Sequence, residues 1–192
     1  LAVALCLALA PASLFIALPT FAQTQVATVP LSEADRQLVA AFEERVKGYS
    51  KMREALEERL PNLPKEATPE QITAHKKTFQ EMVRSARSGA KQGDVFTPEA
   101  VRFIRATLKD EFKGKERAEL RQTVFEAETQ GVPLRVNYPY PESKELVEMP
   151  PTLLLRLPQL PKQVRYRFVG GNLLLVDREN GLIVDYMTGA LP

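Results

Sequence analysis

The chain has 192 residues, and its 26 Lys and Arg nearly balance 24 Asp and Glu, for a formal net charge of +2. Both signs are interspersed without a basic block, which disfavours nucleic acid as a partner. The single cysteine, Cys6, lies in the apolar first segment, so the rest of the chain offers no disulfide, redox or Cys-metal chemistry.

The first 22 residues carry no charge and precede a stretch rich in Gln and Thr. This pattern is typical of a secretory h-region, and Ala22 before Gln23 fits a cleavage site. About 18 apolar residues can also span a bilayer, but Pro11 and Pro19 bracket a short apolar core, which favours a cleaved signal peptide over a membrane anchor. We therefore expect an exported mature chain, periplasmic or secreted.

Residues 32–130 show the signals of an amphipathic helical bundle, after a disordered linker at 23–31. Helix starts with a capping side chain and an acidic first turn occur at Ser32, Thr68 and Thr97. Apolar stripes at helical spacing follow: Leu38, Phe42, Val46, Tyr49, Met52, Leu56 and Leu60; Ile72, Phe79, Met82, Val83 and Ala86; Val101, Ile104, Leu108 and Phe112; then Leu120, Val124 and Ala127. The pattern predicts three to four helices.

Residues 131–162 are rich in proline, which predicts an extended segment and excludes helix and interior strands. Within it, "TLLLRLPQLP" is too apolar for a solvated linker. We therefore expect residues 153–157 to fold back and be buried.

Residues 163–188 carry the pattern of a three-stranded antiparallel β-meander, so the chain as a whole is predicted to be α+β. Gly170 with Gly171, and Asn180 with Gly181, mark two hairpin loops. Strand alternation gives a core face of Val164, Tyr166, Phe168, Leu173, Leu175, Leu182, Val184 and Tyr186, with Asp177 at its edge. It gives an opposite face of Arg165, Arg167, Val169, Leu174, Val176, Ile183, Asp185 and Met187.

The opposite face is half apolar, and Arg165 and Arg167 are expected within reach of Asp185. Its centre needs cover from the proline-rich segment or from another chain. Fold-back of the segment predicts a monomer, and we favour it. The alternative is self-association, or an envelope protein partner, on a candidate interaction face of Arg165, Arg167, Leu174, Val176, Asp185 and Met187. The strand "GGNLLLVD" is expected to be buried rather than open to strand addition.

In "YRFVGGNLLLVDRENGLIVD", residues 166–185, the chain resembles the C-terminal hairpins of exported bacterial proteins of the RcnB-like family. The shared pattern is aromatic-x-aromatic-Val, Gly, an apolar strand ending in Val-Asp, then Gly-x-Ile. Through "KQGDVFTPE" and "YPYPE" it is also similar to secreted proteins that join a helical body to this ending. The resemblance implies a periplasmic location. The nickel and cobalt homeostasis of the best-known members does not carry over, because this chain has a single histidine.

That histidine, His75, lies beside the apolar stripe between Ile72 and Phe79. Metal binding or a Ser-His-Asp triad would need partners, and the sequence has no second histidine and no Gly-x-Ser-x-Gly elbow. We predict a partly buried structural role, and no metal or cofactor site is expected because the sequence also has no phosphate loop, calcium loop or cofactor fingerprint.

Acidic residues offer the remaining route to catalysis. Glycosidases use carboxylate pairs, and paired glutamates occur at positions 43–44 and 57–58. Their basic neighbours Arg45, Lys47 and Arg59 favour helix-surface ion pairs instead. Asp177 and Asp185 are expected to pair at sheet edges. The sequence therefore favours a non-enzymatic envelope binding or structural protein, with an envelope hydrolase or glycan-cleaving enzyme using a lone carboxylate as the alternative.

Processing is a direct test of the expected export. Mature protein recovered from the periplasmic fraction should begin at or near Gln23, because the uncharged segment would be removed. Intact mass and N-terminal sequencing measure this. Recovery of an unprocessed chain in the membrane fraction would establish an anchor instead.

Overall fold

The computed structural model describes residues 31–113, 118–127, 129, 131–141, 143–144 and 149–191. Within these ranges five helices precede three strands: α1 (Glu33–Glu57), α2 (Pro69–Ala86), α3 (Pro98–Glu111), α4 (Ala118–Glu126), α5 (Pro151–Leu154), β1 (Val164–Val169), β2 (Asn172–Asp177) and β3 (Ile183–Met187). The strands form an antiparallel sheet in the order β1-β2-β3. The predicted α+β class, with a C-terminal meander, is confirmed. Within the described ranges, no helix combines the length and apolar character needed to cross a membrane.

Local capping sets where the first three helices begin. The Ser32 hydroxyl accepts from the Asp35 amide at 3.0 Å, and Thr97 accepts from the Ala100 amide at 3.4 Å. Thr68 and Gln71 form a reciprocal capping box. Each cap satisfies an otherwise unpaired amide and contributes about 1 kcal/mol. These signals lie in the sequence itself, which is why the predicted starts are correct.

The main hydrophobic core lies between the helices and one face of the sheet. Phe42, Ile104 and Leu108 from the helices are fully buried, and so are Phe168 and Leu175 from the strands. The rings of Phe112 and Phe168 meet edge to face at 6.0 Å between centroids, a contact that adds about 1 kcal/mol to the burial. Helices and sheet therefore share one core.

Among the described side chains of the predicted helical stripes, Ile72 and Ala86 lie outside this core. Ile72 is 50% exposed, and the buried residues of α2 are Phe79 and Val83. Only the second half of α2 reaches the core, so Ile72, in its first half, remains at the surface.

The β1–β2 hairpin has the predicted register. Val169 pairs with Asn172 across Gly170 and Gly171, and Gly170 has φ 52°, a left-handed value that favours glycine. The β2–β3 connection is a longer loop, in which the Gly181 amide donates to the Asp177 carbonyl at 3.1 Å. Gly181 has φ 73°.

A β-bulge reverses the predicted faces at the end of β3. Leu175 pairs with Asp185 and Val176 pairs with Ile183, so Val184 is an extra residue in β3. As a result Asp185 and Met187 lie on the helix-facing side, and Tyr186 packs with the opposite cluster. Their predicted assignments were wrong, because strict alternation contains no signal for an inserted residue.

The opposite face of the sheet is covered by the proline-rich segment, as predicted, but by its first part. Val132, Leu134 and Tyr140 pack against the face cluster of Val169, Leu174, Val176 and Ile183. This part also hydrogen-bonds to β3: the Ile183 amide donates to the Tyr138 carbonyl and the Tyr140 amide to the Gly181 carbonyl, both at 2.8 Å. Residues 132–140 thus cover the sheet face and pair with its β3 edge.

The predicted fold-back of residues 153–157 over this face was wrong. Leu153 and Leu157 are buried in the main core, whereas Leu154 and Leu155 are 44% and 87% exposed. The prediction that the proline-rich segment contains no helix was also wrong, because Pro151–Leu154 forms the single turn α5. A proline fits the first helical position, where its missing N–H is not needed.

The sheet register can be tested with a matched pair of substitutions. Leu175→Asp places a charge in the fully buried core and should lower the free energy of unfolding by about 4 kcal/mol or more. Leu155→Asp makes the same chemical change at an exposed position and should change it by less than about 0.5 kcal/mol. Urea unfolding measures both. Similar losses in the two variants would show that this face does not pack on the helices.

Candidate functional site

The structure separates the members of the candidate interaction face. Leu174 and Val176 are buried beneath residues 132–140. Asp185 and Met187 lie on the other side of the sheet, facing the helices. Arg165 and Arg167 line an opening beside β1, and Met187 lines a separate opening. The six residues therefore do not form one continuous face.

Arg165 and Arg167 line a cleft of about 520 Å³ beside β1, together with Lys162 and Arg178. The described residues that line this cleft include no Asp or Glu. Arg167 is 8% exposed, and its Nη1 donates to the Tyr166 carbonyl at 3.1 Å. The cleft is therefore cationic, and one of its guanidinium groups, that of Arg167, is hydrogen-bonded to the backbone of β1.

Asp177 anchors the end of β2 to α1. Its carboxylate is fully buried and accepts a hydrogen bond from the Tyr49 hydroxyl at 2.8 Å. The Arg53 Nε lies 3.2 Å from the same oxygen. Its other oxygen accepts from the amides of Glu179 and Asn180, at 3.0 and 3.1 Å. A buried carboxylate with this many donors is fully engaged.

Arg53 connects the Asp177 anchor to its surroundings. Although only 2% exposed, its guanidinium reaches Glu57 at 3.2 Å and forms an ion pair with Glu179. It also stacks over the Phe79 ring, 5.0 Å from the centroid. Burial and the neighbouring Asp177 raise the pKa of Tyr49 well above its ordinary value. The Tyr49 hydroxyl therefore stays protonated and serves as a donor.

Asp185 is surrounded by backbone amides. Its two oxygens accept from the amides of Val95 and Phe96 at 2.8 Å, Gly93 at 3.1 Å and Tyr186 at 2.8 Å. The chain before α3 can wrap the carboxylate because Gly93 takes φ 92°, which permits a nest of amides around an anion. The predicted pairing of Asp185 with strand arginines was wrong.

Arg87 and Asn137 join the end of α2 to β3 and the proline-rich segment. The Arg87 guanidinium donates to Asn137 Oδ1 at 2.6 Å and to the Val184 carbonyl at 2.9 Å, and it stacks 5.0 Å from the Tyr49 ring centroid. In return Asn137 Nδ2 donates to the Arg87 carbonyl at 2.8 Å. Burial lowers the pKa of Arg87, although an arginine remains charged at neutral pH.

A second cleft, of about 450 Å³, opens between the end of α2 and residues 135–138. We call it the arginine–tyrosine cleft and define it by Arg84, Lys91, Arg135, Tyr138 and Tyr186. Both arginines lie against Tyr138: the guanidinium carbons are 5.7 Å (Arg84) and 4.8 Å (Arg135) from the ring centroid. It is a polar opening that combines cations with aromatic rings.

The acidic candidates are mostly engaged in surface contacts. Glu44 lies 3.9 Å from Lys47, the kind of ion pair predicted. Glu43 instead accepts from the Gln159 amide at 2.7 Å. Glu57 pairs with Arg53 rather than with the predicted neighbours, and Glu58 is exposed.

His75 is half-buried, and its Nε2 lies 3.1 Å from the Pro61 carbonyl oxygen. This contact joins α2 to the chain after α1, which agrees with a structural role. Among the residues that the structure describes, no group of three or more His, Cys, Asp or Glu side chains is arranged to hold a metal ion.

Comparisons with known proteins found no match to a family model, a curated protein or a solved structure. The chain's own geometry is therefore the basis for assigning a function.

Sequence reasoning missed the residues that matter most here: Arg53, Arg84, Arg87, Arg135 and Asn137. Arg53 and Arg87 occupy helices whose visible signal is an apolar stripe, and nothing local marks an arginine as buried. The one available signal was the pair of aromatics in "NYPY", since a tyrosine in a proline-rich segment can stack with cations.

The Asp177 anchor can be tested by removing its cation. Arg53→Met should lower the free energy of unfolding by about 3 to 5 kcal/mol, because it leaves Asp177 as an uncompensated buried charge. Arg45→Met removes an exposed arginine from the same helix and should cost less than about 0.5 kcal/mol. Urea unfolding of the two variants measures the difference. An equally small effect in both would mean that Arg53 does not stabilise the anchor.

Proposed function

We propose that this chain is a non-enzymatic exported protein of the bacterial envelope that acts as a binding or structural module. The observation that carries the proposal is that Asp177 and Asp185, two carboxylates among the described residues, are fully buried. Both are used to hold the sheet on the helices. Support for export comes from the uncharged segment at residues 1–22, which lies outside the described residues.

A catalytic acid or base must reach a substrate proton within hydrogen-bond distance. Asp177 and Asp185 have no exposed surface, and their oxygens already accept hydrogen bonds from backbone amides and from Tyr49. These contacts favour a structural role over acid-base chemistry. The cationic lining of the cleft beside β1 and of the arginine–tyrosine cleft favours binding of a polar or anionic ligand.

A hydrolase that uses a lone carboxylate is supported by one residue. Asp94 is exposed and lines a third cleft, of about 420 Å³, next to Arg105 and Tyr186. Its Oδ2 accepts from the Lys91 amide at 2.9 Å, so one of its oxygens already has a donor. Among the residues that line the three described clefts, Asp94 is the carboxylate that an enzymatic function would use.

Peptidoglycan turnover separates the two functions. Purified mature protein should release no soluble fragments from peptidoglycan above a buffer control, and Asp94→Asn should behave in the same way. Asp110→Asn is the matched control, because Asp110 is exposed and pairs with Arg156 outside this cleft. Release by the wild type that Asp94→Asn abolishes and Asp110→Asn retains would establish the hydrolase.

A further inference from the structure

We propose that the arginine–tyrosine cleft binds an oxyanion, a phosphate or carboxylate group, carried by a small polar ligand. The inference deepens the proposed function and rests on it, since it gives the binding module a site and a class of ligand.

A hydrogen bond fixes Arg84, and both arginines of the cleft lie against the Tyr138 ring. The Arg84 Nε donates to the Asn137 carbonyl at 2.9 Å, and its guanidinium carbon lies 5.7 Å from the Tyr138 ring centroid. Arg135 lies 4.8 Å from the same centroid. Stacked guanidinium groups lose little further freedom on binding, which favours recognition of a planar or tetrahedral oxyanion.

The cations of the cleft form no ion pair within the described part of the chain. Arg84 and Arg135 share one ring, and Lys91 adds a third positive charge from the connection after α2. None of the three appears among the ion pairs of the described residues. Both guanidinium groups and Lys91 add positive potential to the cleft, and an oxyanion bound there would be stabilised by it.

The C-terminus of α2 lies beside the cleft, and a helix C-terminus normally disfavours an anion. Here its carbonyls already have donors: the Asn137 Nδ2 donates to the Arg87 carbonyl at 2.8 Å, and the Arg87 amide donates to Val83 at 3.0 Å. Paired carbonyls present less negative charge to a ligand. The positively charged side chains therefore determine the sign of the electrostatic potential in the cleft.

The size and the lining limit the ligand that carries the oxyanion. A cleft of about 450 Å³ suits a small molecule rather than a large apolar one. Ser88, Gln92 and Asn137 add neutral donors and acceptors to the lining, and the Tyr186 ring offers an apolar surface. A sugar-sized ligand with one anionic group fits this combination.

The proposal is tested by titrating the full mature protein, followed by amide NMR shifts, at low salt. The probes are inorganic phosphate, glucose 1-phosphate, glucuronate and neutral glucose. We expect saturable shifts at residues 88–92 and 134–138 with at least one anionic probe and none with glucose. Arg135→Gln should weaken that probe's binding about tenfold, the loss of one charge-assisted contact.

Two further variants show what the cleft recognises. Arg84→Lys keeps the charge but loses the planar fork, so it should also weaken binding. Arg45→Gln makes the same Arg-to-Gln change on α1, outside the cleft, and should leave the affinity unchanged. Arg135 is exposed, and an unchanged melting temperature for Arg135→Gln would show that its fold is intact.

Each outcome supports or overturns the proposal. Binding of glucose 1-phosphate alone identifies a phosphorylated ligand, and binding of glucuronate alone identifies a carboxylated one. Shifts that do not saturate with any anionic probe, or that persist equally in Arg135→Gln, overturn it. Wild-type affinity in Arg84→Lys overturns recognition by paired guanidinium groups. None of these results changes the peptidoglycan measurement, so the failure of this site is distinguishable from that of the proposed function.

Discussion

The docking of the sheet onto the helices depends on the Asp185 carboxylate and the amides that surround it. The bulge at Val184 turns Asp185 toward the helices, where the amides of Gly93, Val95 and Phe96 donate to it. All three amides precede α3, and those of Val95 and Phe96 would be buried without an acceptor if the bulge were absent, at a cost of about 1 to 3 kcal/mol each. The bulge at Val184, the Asp185 carboxylate and the turn before α3 therefore stabilise one another.

Polar contacts at the end of β2 and in the middle of β3 select one register. Asp177 is tied to α1 through Tyr49 and Arg53, and Asp185 to the start of α3. A slip of one residue would move each carboxylate away from its donors and turn the apolar side chains to the wrong face. A hydrophobic core can be packed in several similar arrangements, whereas these hydrogen bonds and ion pairs form in one strand register. We attribute the defined docking of the sheet to them.

The features that could be predicted from sequence are local ones. Helix starts at Ser32, Thr68 and Thr97 depend on side chains within one turn, and the β1–β2 hairpin depends on Gly170 and Gly171 beside alternating residues. The bulge at Val184 and the partners of Arg53 could not be predicted in this way. They depend on groups far along the chain, and an inserted strand residue leaves the composition unchanged. The clefts were missed for the same reason, because their lining comes from separate segments.

The Tyr49–Asp177 contact joins residues that are 128 positions apart, which has a consequence for the order of folding. Closing a loop of this length costs conformational entropy, and a chain rich in contacts between distant residues folds slowly. As the polypeptide emerges during synthesis, α1 and α2 are made long before the strands that cover them. Until residues 164–191 have been added, the helices lack both the sheet and its two carboxylates. A nascent chain that lacks them cannot yet form the core that the helices share with the sheet.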